Sequence, residues 1–265
     1  MISAFRLDLR RSRTLVLWIG LVSALYAGFI TAFYPTVVEN AADFEKMLEV
    51  YPKELMAAFG ISGSLGDPGI FLNSYVFQFL WPLVAAIVGI LIATRPAADA
   101  DRGFLELPLS TRLPRARYLV AVIASQAVAV TLLAAATVAA VIVVDIFIKP
   151  SFDWGRLALA GVHAATLGFA IAGVTSLLAV AFLDRGRSAG AAAAILIVMY
   201  LLNVIAQLST GIDWVARLSA FHYFDVRALI DSGTYPTGDS ALFLVVAVAG
   251  WLLAVVAFRR RDLAT

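Results

Sequence analysis

The chain of 265 residues has no cysteine, two histidines and only 14% charged residues. Without cysteine there can be no disulfide framework, thiolate metal site or cysteine nucleophile. His163 and His222 stand 59 positions apart with no HExxH spacing, and a lone histidine with no second ligand in view points to packing rather than to metal. No GxxxxGK[ST] stretch is present to cradle a nucleotide, and no GxSxG to present a nucleophilic serine. The pI near 9.0 comes without any basic-aromatic module, so nucleic acid is not an expected partner. Acidic and basic residues are almost absent from the long apolar runs, whereas ion-coupled carriers and intramembrane enzymes commonly bury such groups there. An enzyme is therefore not expected. Any energy source would have to sit on another chain.

What the chain does have is hydrocarbon. Hydrophobic residues make up 62% and the mean hydropathy is +0.92, against about 45–50% apolar residues in soluble domains. The expected fold class is an all-α integral membrane protein with six transmembrane helices. Spans are placed at about 14–34, 71–94, 118–148, 156–183, 188–210 and 240–258, in one domain over residues 1–265. Each run reaches or approaches the ~20 apolar residues that cross a bilayer. The first is too long for a signal-peptide core of ~7–15 residues, so it is read as a retained span. Before it, ISAFRLDLRRSR sets Ile2, Phe5 and Leu9 at helical spacing among four arginines, which predicts an amino-terminal helix lying in the interface.

Two external segments are expected, 35–70 and 211–239. In the first, Phe44, Leu48, Tyr51, Leu55 and Phe59 recur every three or four residues, an amphipathic helix that Pro52 should split. The second is aromatic, with Trp214, Phe221, Tyr223, Phe224 and Tyr235, and suits short interfacial or re-entrant helices at headgroup level. Pro82 should kink the second span. Gly161, Ala164, Gly168 and Ala172 should let another helix approach the fourth. Asp145 has Lys149 one helical turn on, an interfacial ion pair by spacing. Asn203 and Gln207 share one face of the fifth span and are candidates for a translocation path. With the amino terminus inside, 14 of the 20 Lys and Arg lie on the inner side, so both termini are expected in the cytoplasm.

The largest polar interruption on that side is the loop 95–117. Its stretch ADADRGFLELPLSTRLPRARYLVAVI, Ala98 to Ile123, resembles the cytoplasmic signature of type-2 ABC transporter permeases. In that signature an acidic pair, a glycine and a Leu-Glu-Leu core precede a turn into the third span. Asp99, Asp101, Arg102, Gly103, Phe104, Leu105, Glu106, Leu107, Ser110 and Arg112 occupy this stretch. At the turn, Ser110-Thr111-Arg112-Leu113-Pro114 stands where such permeases often carry Pro-Val-Ser-Arg. The aromatic segment before the last span and the FRRRDL ending agree with the resemblance.

The resemblance implies a coupling helix between spans 2 and 3 that docks on a separate nucleotide-binding subunit. It also implies a second permease chain, the same or a sister, with ATP and Mg held by the partner subunit and no cofactor on this chain. The expected setting is a bacterial plasma (inner) membrane and the expected cargo a small hydrophobic or amphipathic substrate, exported. Two other readings stand beside this one. A stand-alone secondary carrier or channel would need no nucleotide-binding partner. A non-transporting membrane anchor for a cytosolic ATPase would share the docking loop.

Overall fold

The computed structural model describes residues 2–51, 56, 61, 63–101, 115–148, 152–208 and 213–260. Among these no strand occurs, and six helices are long and apolar enough to cross a membrane. The fold class expected from composition is the one observed.

The first helix runs unbroken from Ile2 to Glu39 with Pro35 inside it. The separate interfacial helix and the boundary at Pro35 expected from the sequence are therefore both replaced by one rod. No glycine or proline interrupts residues 2–19, so nothing favours a break there. The polar face at Asp8 and Arg11 is engaged by another helix rather than spread on the interface. Thirty-eight residues make about 57 Å at 1.5 Å per residue, well beyond a ~30 Å hydrocarbon core. One short helix, Ala41–Leu48, follows, and its Phe44 and Leu48 pack on the core. The expected split at Pro52 lies outside the described residues.

The second span is built in pieces. Asp67 caps its start by accepting from the Gly69 and Ile70 amides, with Pro68 at the first helical position, where a missing N–H costs nothing. An α-helical turn, Pro68–Leu72, passes into the π-helical segment Asn73–Leu80 and then the α-helix Trp81–Ala93. The Trp81 amide reaches back to the Val76 carbonyl, a five-residue step that widens the helix just before Pro82. After Thr94, a short helix Arg95–Asp101 leads out of the span.

The remaining spans are Arg115–Phe147, Trp154–Phe182, Arg185–Leu208 and Thr237–Arg260. Asp153 and Asp184 cap the fourth and fifth, accepting from the Arg156 and Arg187 amides at 3.0 and 2.7 Å. Asp184-Arg185-Gly186-Arg187 is thus a cap and the first helical turn. Asp145 is fully buried and accepts from Trp154 Nε1 at 2.9 Å; Lys149 lies outside the described residues.

The fourth span is the centre of the bundle, touching the second, third, fifth and sixth, while the first packs along the third. Small residues set these distances. A Cβ on Gly161 or Gly168 would press on Val138 or Val130 of the third span, and one on Gly173 would lie 2.6 Å from the Ala247 carbonyl oxygen of the sixth. Close approach of this kind replaces the hydrophobic drive that helices lack among lipids. Polar ties lock the same contacts. Trp81 Nε1 donates to the Ala164 carbonyl at 2.6 Å. Gln126 donates to the Gly89 carbonyl at 3.0 Å and accepts from Ser176 Oγ at 3.1 Å, joining three spans at a fully buried amide.

Candidate functional site: an uncharged groove between the second and fifth spans

The π-helical segment of the second span carries Ser74, Tyr75, Gln78 and Phe79. All four line a groove of about 960 Å³ whose other wall is the fifth span, through Ala193, Leu196, Ile197, Tyr200 and Asn203. Widening the helix re-aims these side chains, a use of π-helical segments that recurs at functional sites. Phe221 and Phe224 close one end. The lining holds no Asp, Glu, Lys, Arg or His. It is aromatic and aliphatic with a few hydrogen-bonding groups, the composition of a ligand pocket.

The aromatic end is fixed by the segment between the last two spans. It consists of a helical turn Asp213–Ala216, a 3-10 turn Ala220–Tyr223 and a short helix Arg227–Ser232. Gln78 donates through Nε2 to the Phe224 carbonyl at 3.3 Å, and Asn73 Oδ1 accepts from the Val226 amide at 3.0 Å. Phe224 is buried with its ring stacked on His163, centroids 5.3 Å apart. His163 Nδ1 meets Ser240 Oγ at 2.7 Å, and Tyr235 OH lies 3.1 Å from the same hydroxyl. His163 is thus a packing residue at the back of the groove. Among the described residues, no group of three or more metal-ligating side chains is assembled.

A linked set of charged residues lies at the other end of the bundle. Arg95 pairs with Asp8 at 3.2 Å and donates to Ser12 Oγ at 2.6 Å. Arg11 pairs with Asp99 at 3.2 Å. Ser125 also donates to Asp8, and Tyr118 OH donates to Asp99 at 2.9 Å. Two helices are therefore joined by two reciprocal ion pairs, acid on each facing base on the other. The hydroxyls of the third span supply further hydrogen bonds to both carboxylates, as buried charges require. Asp8 and Asp99 are only 5% and 7% exposed.

Of the residues expected to dock a partner, Asp99 is turned inward to Arg11 and Tyr118, and Asp101 closes the short helix Arg95–Asp101. Arg102, Gly103, Phe104, Leu105, Glu106, Leu107, Ser110 and Arg112 lie outside the described residues. Asn203 lines the groove and is 8% exposed. Gln207 follows one turn later on the same helix. Sequence reasoning missed Ser74, Tyr75 and Gln78. The signal was there, in three hydrogen-bonding side chains within an apolar run just before Pro82.

These features define a class: an all-α integral membrane protein with an uncharged groove between two of its spans. Comparison with known proteins is more specific. Residues 1–259 match the family model described as "Multidrug efflux system permease Rv1217c, C-terminal domain", and the chain belongs to that family. No curated protein matches it. The chain is thus a transport permease rather than a catalytic enzyme.

Proposed function

We propose that the chain is the membrane-spanning permease of an ATP-driven ABC exporter in a bacterial plasma membrane, with both termini in the cytoplasm. The observation that carries this reading is the groove. A permease of an efflux family opens about 960 Å³ of aromatic and aliphatic surface with no charged side chain. Such a wall favours an uncharged or amphipathic cargo, because an ion leaving water would find no counter-charge. A second permease chain, the same or a sister, faces the groove and completes the path. A separate nucleotide-binding subunit holds ATP and Mg and docks on residues 98–110. The double ion pair of Arg95 with Asp8 and Arg11 with Asp99 stiffens the root of that docking segment.

The test is a mild-detergent purification of the chain with its neighbouring ATPase, followed by reconstitution into vesicles. ATP-dependent movement of a lipophilic dye is expected. A Leu105→Asp, Glu106→Arg variant should lose both the ATPase and transport while keeping its fold. Dye movement that runs on an ion gradient with no ATPase attached would overturn the reading in favour of a stand-alone carrier. An ATPase that stays bound without any vectorial transport would leave the chain an anchor.

A further inference from the structure

A second, smaller opening lies behind the groove. It is a slot of about 210 Å³ between the fourth, fifth and sixth spans, walled by residues such as Leu167, Ile171, Ile195, Met199 and Phe243. That is below the ~300–1,000 Å³ of sites for drug-sized ligands, and its mostly aliphatic and aromatic walls suit a hydrocarbon chain. One charged residue lines it, Arg217.

The backbone at Arg217 is held in place, and its guanidinium is left without a carboxylate among the described residues. Tyr223 OH donates to its carbonyl at 3.1 Å, and Ser219 Oγ caps the adjoining 3-10 turn at 3.1 Å from the Phe221 amide. Of the other described lysines and arginines at the same end of the bundle, Lys46, Arg156 and Arg227 each have an acidic partner. Among the described residues none pairs with Arg217, which is exposed. Trp214, 62% exposed, and Tyr223 flank it, and aromatic residues of this kind mark headgroup depth. An arginine fork at that depth matches a phosphate diester, and the apolar slot beneath it would otherwise lose its packing contacts.

We infer that the slot binds one acyl chain of an anionic phospholipid whose phosphate pairs with Arg217. Leu196 lines both the slot and the groove, so the bound lipid supports that wall of the groove from behind. The site does not depend on what crosses the groove or on what drives it.

The test is native mass spectrometry of the detergent-purified full chain after exchange into phosphatidylglycerol or phosphatidylcholine. One phosphatidylglycerol per chain should persist where phosphatidylcholine does not. Arg217→Gln should weaken its retention about tenfold, as loss of a charge-assisted contact does, and Arg187→Gln at the far end should not. Ile195→Trp, which fills the slot, should abolish retention with Arg217 intact. Equal retention of the two lipids, or an Arg217→Gln variant that holds phosphatidylglycerol as well as wild type, overturns the inference. So does retention by a folded Ile195→Trp variant, and so does displacement by millimolar inorganic phosphate, which would make the site one for the free anion.

Discussion

The fourth and fifth spans have similar hydropathy, 2.0 and 2.3, yet in the most apolar window 67% of the fourth is buried inside the chain and only 11% of the fifth. Equal lipophilicity has been used in opposite ways. The fourth span is a fixed axle, threaded by small residues and tied to its neighbours by Gln126, Trp81 and Ser176. The fifth is a wall with one side on the groove and Val198, Leu201 and Ile205 exposed away from it. Few contacts within the chain hold the second kind of helix, which leaves most of its surface uncovered by the rest of the chain.

The comparison is most sharply broken at glycine. At Gly173 an added Cβ would lie 2.6 Å from the Ala247 oxygen and 2.8 Å from its Cα, and at Gly250 it would reach the Gly173 backbone. Backbone cannot swing aside as a side chain does. Gly173→Leu should therefore cost at least the ~1–3 kcal/mol of an overpacked core and remove the monodisperse peak in detergent chromatography. Gly190→Leu on the fifth span, with nothing within 4 Å, should stay within about 0.5 kcal/mol of wild type. Equal damage at the two sites would mean that the fifth span is as tightly held as the fourth.

The buried amides give a second contrast. Gln126 bridges three spans, whereas Asn203 lines the groove with no hydrogen-bond partner among the described residues. Hydrogen bonds between membrane helices contribute about 0.6–2 kcal/mol. Gln126→Leu should lower the midpoint of thermal unfolding by an amount in that range. Asn203→Leu should leave the midpoint in place and shift the cargo preference of reconstituted vesicles. A stability loss at Asn203 matching that at Gln126 would make it structural and remove it from the path.

How much of this was legible depended on where a residue's partner lay. The spans follow from runs of hydropathy, and Asn203 stood out as an amide in an apolar run. The unbroken first helix did not show, because Asp8 and Arg11 look like an interfacial face until Arg95 and Asp99, 87 and 88 positions away, are brought to them. The close approach of Gly173 to the sixth span needed a partner 74 to 77 positions on. The π-helical segment was hidden for another reason. Eight residues are too few for a five-residue hydrogen-bond step to leave a period, and only Pro82 marked the place.

The weakest contrast concerns the strap that returns the little-buried fifth span to the central block. Arg227–Ser232 docks on the start of the second span, with the Asp231 carboxylate against Gly69. Asp67, the cap of that span, faces the same carboxylate. Arg227 lies a turn back, and Arg156 of the fourth span donates to the Ile230 and Asp231 carbonyls. Burial, and then the Asp67 carboxyl beside it, push Asp231 up to about 6 from an ordinary 3.8, against the pull of the Gly69 amide and Arg227. The folded chain therefore binds this proton more tightly than the unfolded one. Its stabilising contribution is complete below about pH 4 and is lost as the pH rises through about 6. The side chain is largely exposed and solvent screens it, so the expected fall in unfolding midpoint between pH 4 and pH 7 is small, about 1–2 °C. Asp231→Asn, which keeps the shape and removes the titration, should lack that part of the slope. Identical slopes in the two proteins would show that the carboxyl pair does not hold the strap, and the anchoring would then rest on Arg156, Asn73 and Gln78.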